Sequence, residues 1–213
     1  MAMPDDAALT ILNAIRASPI EYLKENRIKI GGGDRGDKSL DQLWNIDYKA
    51  GGTSVVAFSA TSNSKPQFKA HAVAMHNIAG ERTPASRDAL GALTINALPF
   101  YELKDKGSDL MMTGQLTACS FAMLRKGNSV FCMHLEPGST TLKDGPSLEK
   151  EIVKNGRFAG HAEKLVVFGK SQYPDPNIAY IVGVRTSGKW SIYAQIRPSM
   201  DDKKPITKAI KIL

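Results

Sequence analysis

From Thr53 to its C-terminus the chain is cut into short runs rich in β-branched and aromatic residues, separated by clusters of Gly, Asn, Ser and Pro. Runs of that length and composition form strands, and turn residues at such close spacing oblige the strands to fold back on one another. Strands are expected over Thr53–Ala60, Gln67–Met75, Leu90–Leu98, Asp109–Leu116, Cys119–Leu124, Ser129–Leu135, Leu165–Gly169, Ile178–Arg185, Trp190–Arg197 and Ile206–Ile212. So many short strands in one chain predict a β-sandwich or a distorted barrel. The last run sets Ile206, Ile210 and Ile212 beside Lys208 and Lys211, the pattern of an edge strand with one solvated face.

Ahead of this region the periodicity changes. Ala8, Leu9, Leu12 and Ile15 recur at helical spacing behind Asp5 or Asp6 as N-cap, and Pro19 starts a second short helix, so residues 5–30 read as helical. Gly31-Gly32-Gly33-Asp34-Arg35-Gly36-Asp37 reads as a loop, followed by a short apolar stretch around Leu40, Leu43 and Trp44. The expected organisation is one α+β domain over residues 1–213, with 1–48 a helical cap and 53–213 the β-rich core. One later helix is expected over Ser147–Asn155, capped by Ser147 and stopped by Gly156.

Composition excludes several classes. With 42% hydrophobic residues the chain has the material for a substantial core, which argues against disorder. No run approaches the roughly 18–20 apolar residues of a membrane span. Asp5 and Asp6 stand where a secretory leader needs positive charge, so no cleavable signal peptide is expected. Two cysteines and four histidines rule out a disulfide-stapled scaffold or a Cys-rich zinc module. The formal charge of +7, from 28 Lys and Arg against 21 Asp and Glu, favours an acidic partner. A basic β-sandwich binding module is one reading of that charge and of Lys203, Lys204, Lys208 and Lys211. Aromatics at 7% and the lack of a ribonucleoprotein motif argue against nucleic acid as an obligate partner.

Several local motifs carry little. The loop at 31–36 lacks the Gly-Lys-Ser/Thr ending of a phosphate-binding loop, because Lys38-Ser39 follows Asp37. Arg35-Gly36-Asp37 is a short tripeptide that any polar loop can contain. His71 and His76 are separated by a spacing that suits no shared metal on a helix or a strand, and His161 reads as a loop residue. No metal and no cofactor is expected.

The segment from Thr113 to Pro137 is different. Two apolar runs flank Arg125-Lys126-Gly127-Asn128, a β-hairpin signal in which Gly127 takes the positive φ of a tight turn. If Lys126 and Gly127 form the loop, facing positions sum to 253 and Cys119 lies directly opposite His134, with Cβ atoms about 5 Å apart. If Gly127 and Asn128 form it, the sum is 255, His134 faces Phe121, and Cys119 is its same-face diagonal neighbour at about 7 Å. A three-residue loop would put the two on opposite faces unless a bulge restored the parity. A nearby imidazole gives a cysteine thiolate character by taking its proton, so either two-residue register permits a nucleophilic dyad. A buried core cysteine is the competing reading. Cys132 shares the face of His134, and its position within an apolar strand favours a structural role. Cys119 follows Leu116-Thr117-Ala118, a step expected to open the strand start to solvent. The two thiols are diagonal neighbours, and a bridge between them would have unusual cross-strand geometry.

Leu116-Thr117-Ala118-Cys119 followed by His134 on the return strand resembles the Leu-Ser-Gly-Cys plus His arrangement of the cytotoxic necrotizing factor catalytic domain and of the smaller Burkholderia lethal factor, a family of glutamine deamidase toxins. The resemblance covers about 25 residues, Thr113 to Pro137, and departs from the pattern at Thr117, where the family has Ser, and at Ala118, where it has Gly. It implies a catalytic cysteine at Cys119, a catalytic histidine at His134, and Thr113, six positions before the cysteine, supplying a backbone carbonyl that orients the histidine. It further implies a secreted effector without a cleavable leader that acts in the cytoplasm of a target cell. There it would convert a glutamine of a target protein to glutamate through a thioester. A monomer is expected. A cysteine peptidase or amidase with the same dyad is the alternative enzyme reading.

Overall fold

The computed structural model describes residues 6–31, 43–51, 55–60, 68–73, 75–77, 101–138, 144–154, 164–199 and 204–213. The loop from Gly32 with its Arg35-Gly36-Asp37 tripeptide, Leu40, the strand expected over Leu90–Leu98, His161 and Lys203 lie outside them.

Two helices open the chain, α1 (Asp6–Ala17) and α2 (Pro19–Glu25), the second starting on its proline as expected. Thirteen strands follow: β1 (Arg27–Gly31), β2 (Leu43–Gly51), β3 (Val55–Ala60), β4 (Phe68–Val73), β5 (Met75–Asn77), β6 (Tyr101–Leu103), β7 (Leu110–Thr113), β8 (Ser120–Lys126), β9 (Ser129–Glu136), β10 (Lys164–Phe168), β11 (Ile178–Thr186), β12 (Lys189–Arg197) and β13 (Lys208–Lys211). A third described helix, α3 (Gly145–Lys154), lies between β9 and β10.

The strands form two sheets. The larger has eight, in the order β1-β3-β2-β4-β7-β11-β12-β13, antiparallel except for the β1–β3 and β4–β7 pairs. The smaller has five: β10-β8-β9, with β6 along the first half of the free edge of β9 and β5, parallel, along the second. Between the sheets lies a core of Val73 and Met111 from the larger, Phe121, Met123, Val130 and Cys132 from the smaller, and Ile181, Ile192 and Ile196. Leu12, Ile15, Tyr22 and Leu23 of the first two helices cover the outer face of the larger sheet. Leu148 and Ile152 of α3 cover the outer face of the smaller sheet, against Ala122, Leu124, Met133 and Leu135. The expected α+β sandwich is thus a four-layer stack, helix, sheet, sheet, helix, and the barrel alternative falls away because the sheets are separate. Burial on both faces explains why β8 and β9 read as nearly continuous apolar runs instead of alternating.

Three expectations need correction. Among the described residues of the expected helical cap 1–48, only α1 and α2 are helical. Ile28 and Ile30 are buried while Lys29 is exposed, a strand's period of two that begins directly after α2, and β1 and β2 both join the larger sheet. Gln195 secures this junction from the sheet: its Oε1 accepts the Ile28 N–H at 2.9 Å, and its Nε2 donates to the carbonyls of Leu23 and Asn26 at 2.6 and 2.7 Å. The second correction concerns α3, which begins at Gly145. Its cap is Asp144, whose Oδ1 accepts the Ser147 N–H at 2.7 Å, an acceptor placed three residues ahead of the amide it satisfies. Ser147 is the third helical residue and not the cap. The third concerns exposure at Cys119, which is taken up below.

The β8–β9 hairpin pairs Lys126 with Ser129, so its loop is Gly127-Asn128, and Gly127 takes φ +57 at the first loop position. The β13 strand closes one edge of the larger sheet, as expected.

Candidate active site

The hairpin loop sets the register, and the register sets the site. Phe121 pairs with His134, their rings edge to face at 6.4 Å between centroids. Cys119 lies one residue before β8, in the inter-sheet core with Phe121, which makes it the diagonal neighbour of His134. On the other side of β9, Met75 pairs with His134, and the Cys119 Sγ approaches Met75 Sδ to 3.8 Å. The thiol therefore meets one of the two residues that flank the imidazole in its own sheet.

His134 is fully buried and is held from the opposite sheet. Thr113, at the end of β7, places Oγ1 2.7 Å from His134 Nδ1 and donates its hydroxyl proton to the carbonyl of Val73, its register partner on β4, at 2.6 Å. A hydroxyl has one proton and the carbonyl only accepts, so Nδ1 must carry hydrogen and donate to Thr113 Oγ1. Neutral His134 is then the Nδ1–H tautomer, with its basic lone pair on Nε2. Thr113 thus meets the ring with its side-chain hydroxyl, where the resemblance implies a backbone carbonyl.

The peptide that carries the nucleophile candidate is held at each residue. Leu116 exchanges two backbone hydrogen bonds with Ala179, at 2.9 and 3.0 Å. Lys170, 7% exposed, donates from Nζ to the Thr117 carbonyl at 2.8 Å and to the Asn177 carbonyl at 2.9 Å, and pairs with Asp175 at 2.8 Å. Gly145 lies so close to the Ala118 carbonyl that a Cβ there would stand 2.5 Å from its oxygen. The buried Tyr173 hydroxyl donates to the Cys119 carbonyl.

Cys119 is only 1% exposed, against the expectation that Leu116-Thr117-Ala118 would open it to solvent. Thr117 is exposed, but the chain turns inward after it. Burial pushes the Cys119 thiol up to about 11; hydrogen bonding by the Thr117 and Ala118 peptides and the Lys170 charge draw it down, while the Glu136 carboxylate raises it. The thiol is protonated at neutral pH. Burial pushes Cys132 up further, as befits a core residue, and both cysteines are free thiols. His71 is buried against the edge of Trp190, with ring centroids 5.5 Å apart, and no group of three metal-ligating side chains occurs among the described residues.

Sequence reasoning missed Val73, Met75, Gly145, Lys170 and Tyr173, which reach the site from segments where no local motif marks them. It also passed over Glu136, although the 255 register contains it: the last hairpin pair is Ser120 with Leu135, and one step further sets Glu136 opposite Cys119.

No protein-family model matches the chain, and no curated protein does.

Proposed function

We propose that the chain is a cysteine-dependent deamidase that converts a glutamine of a target protein to glutamate. The observation that supports the reading is the Thr113–His134 contact, which leaves Nε2 as the basic nitrogen of a ring diagonal to Cys119 in the hairpin register. His134 Nε2 takes the Cys119 proton as Sγ adds to the side-chain carboxamide carbon. The Thr117 and Ala118 peptides, which already hydrogen-bond toward the thiol, supply N–H groups for the oxyanion. The C–N bond then breaks, the imidazolium returns its proton to nitrogen, and ammonia leaves. Water hydrolyses the thioester, with His134 again as base, and releases glutamate and the thiol. The role of secreted effector acting in a target cell's cytoplasm accompanies the family that the hairpin resembles and rests on that resemblance alone.

The test is peptide mapping of a cytosolic protein extract incubated with the protein. The expected result is a mass gain of about one dalton at particular glutamines, the difference between amide and acid, absent with Cys119→Ser. Chain cleavage without that gain would replace the deamidase with a peptidase.

A further inference from the structure

We propose that Glu136 reads the substrate: its carboxylate accepts the N–H groups of the primary carboxamide that Cys119 attacks, and then those of the departing ammonia. The inference rests on the deamidase reading and names the group within that site that selects an amide.

Three observations lead to it. Glu136 shares the inward face of β9 with His134, two residues on, and the hairpin register continued past Ser120–Leu135 makes it the residue directly opposite Cys119. One of its carboxylate oxygens, Oε2, is shut off from solvent and has no hydrogen-bond partner. A buried carboxylate oxygen without a donor is costly, and an arriving N–H would relieve that cost. Finally, its negative charge raises the thiol and so opposes thiolate formation.

A primary carboxamide resolves the conflict. Its nitrogen offers two N–H donors to a group that only accepts, whereas the product carboxylate offers none and is repelled. With Sγ bonded to the carboxamide carbon, the nitrogen lies between Cys119 and the residue opposite it. As the C–N bond breaks and nitrogen takes the proton from His134, the leaving ammonia still has hydrogens for Glu136. Loss of the product is then helped by like charge. A backbone amide offers a single N–H, so the same carboxylate favours side-chain amides over peptide bonds.

Glu136→Gln keeps the shape and removes the charge, and it moves two measurements in opposite directions. Iodoacetamide alkylation of Cys119 shifts to lower pH, because the opposing charge is gone. Glutamine conversion in the extract falls roughly 10- to 100-fold, the loss of a hydrogen bond to a charged acceptor. Glu136→Asp, which keeps the charge, recovers part of the conversion; the thermal midpoints of both variants confirm that they fold. Conversion by Glu136→Gln at the wild-type rate or faster overturns the assignment and leaves the deamidase standing. No conversion by the wild type overturns both.

Discussion

At the scale of single residues, one hydroxyl decides the chemistry of the ring. Thr113 spans the two sheets, giving its proton to Val73 and receiving one from His134 Nδ1. Thr113→Val retains the shape and leaves a buried donor and acceptor unmatched, at a cost of about 1–3 kcal/mol. The urea midpoint should fall accordingly and glutamine conversion should drop at least tenfold, since the ring loses its fixed tautomer. Thr113→Ser, which keeps the hydroxyl, should restore most of both; a Ser variant as impaired as Val would show that the methyl group and not the hydrogen bond matters. That Cys119 and His134 share one face of the hairpin was legible from spacing, because strand pairing turns spacing into position; Thr113 entered only through the resemblance. Its hydroxyl contact with the ring was not legible, since a side chain's reach depends on how far apart the two sheets stand.

Among the elements, the β8–β9 hairpin is the one whose details matter most. Either Lys126-Gly127 or Gly127-Asn128 puts glycine in the turn, so residue type could not choose between the two registers. The choice rests on the backbone at Gly127, and with it goes the identity of the residue facing Cys119: Glu136, with His134 on the diagonal. Strands from β7 onward follow the expected runs to within a few residues, because apolar content and turn residues agree there. β1 was hidden because it follows α2 with only Asn26 between them, too little punctuation to separate a period of two from one of 3.6. At α3, Asp144 and Ser147 are both good caps by type, and only the hydrogen bond distinguishes them. The N-terminus of α3 also supports the site through Gly145. Gly145→Ala drives a methyl group into the Ala118 carbonyl and Lys170 Cβ. It should cost about 1–3 kcal/mol in urea unfolding, with loss of glutamine conversion as the 117–119 segment moves. An unchanged activity would separate the helix from the site.

For the whole molecule, four layers bury groups that are acids in water. Folding raises Cys119 from 9.0 to about 11 and Tyr22 from 10.0 to about 12, each chiefly by burial. The fold favours their neutral forms, so this stability is fully present below pH 9 and is lost as pH climbs through 11 and 12. The urea midpoint should therefore decline from pH 9 upward, and Cys119→Ala should flatten that decline by removing one of the titrating groups. An equally steep decline in the variant would mean that Cys119 is not shielded in the folded protein. The layering also places the candidate groups: the smaller sheet carries His134, the residue leading into it is Cys119, and the larger sheet carries Thr113. The central claim, that Cys119 is a nucleophile served by His134, is tested most directly without a target protein, by iodoacetamide labelling of the native chain across pH with both cysteines mapped. The account predicts modification confined to Cys119, rising with pH toward about 11, and at least tenfold slower at neutral pH in His134→Ala. Labelling that is unchanged in His134→Ala, or two cysteines equally inert until the chain unfolds, would contradict it.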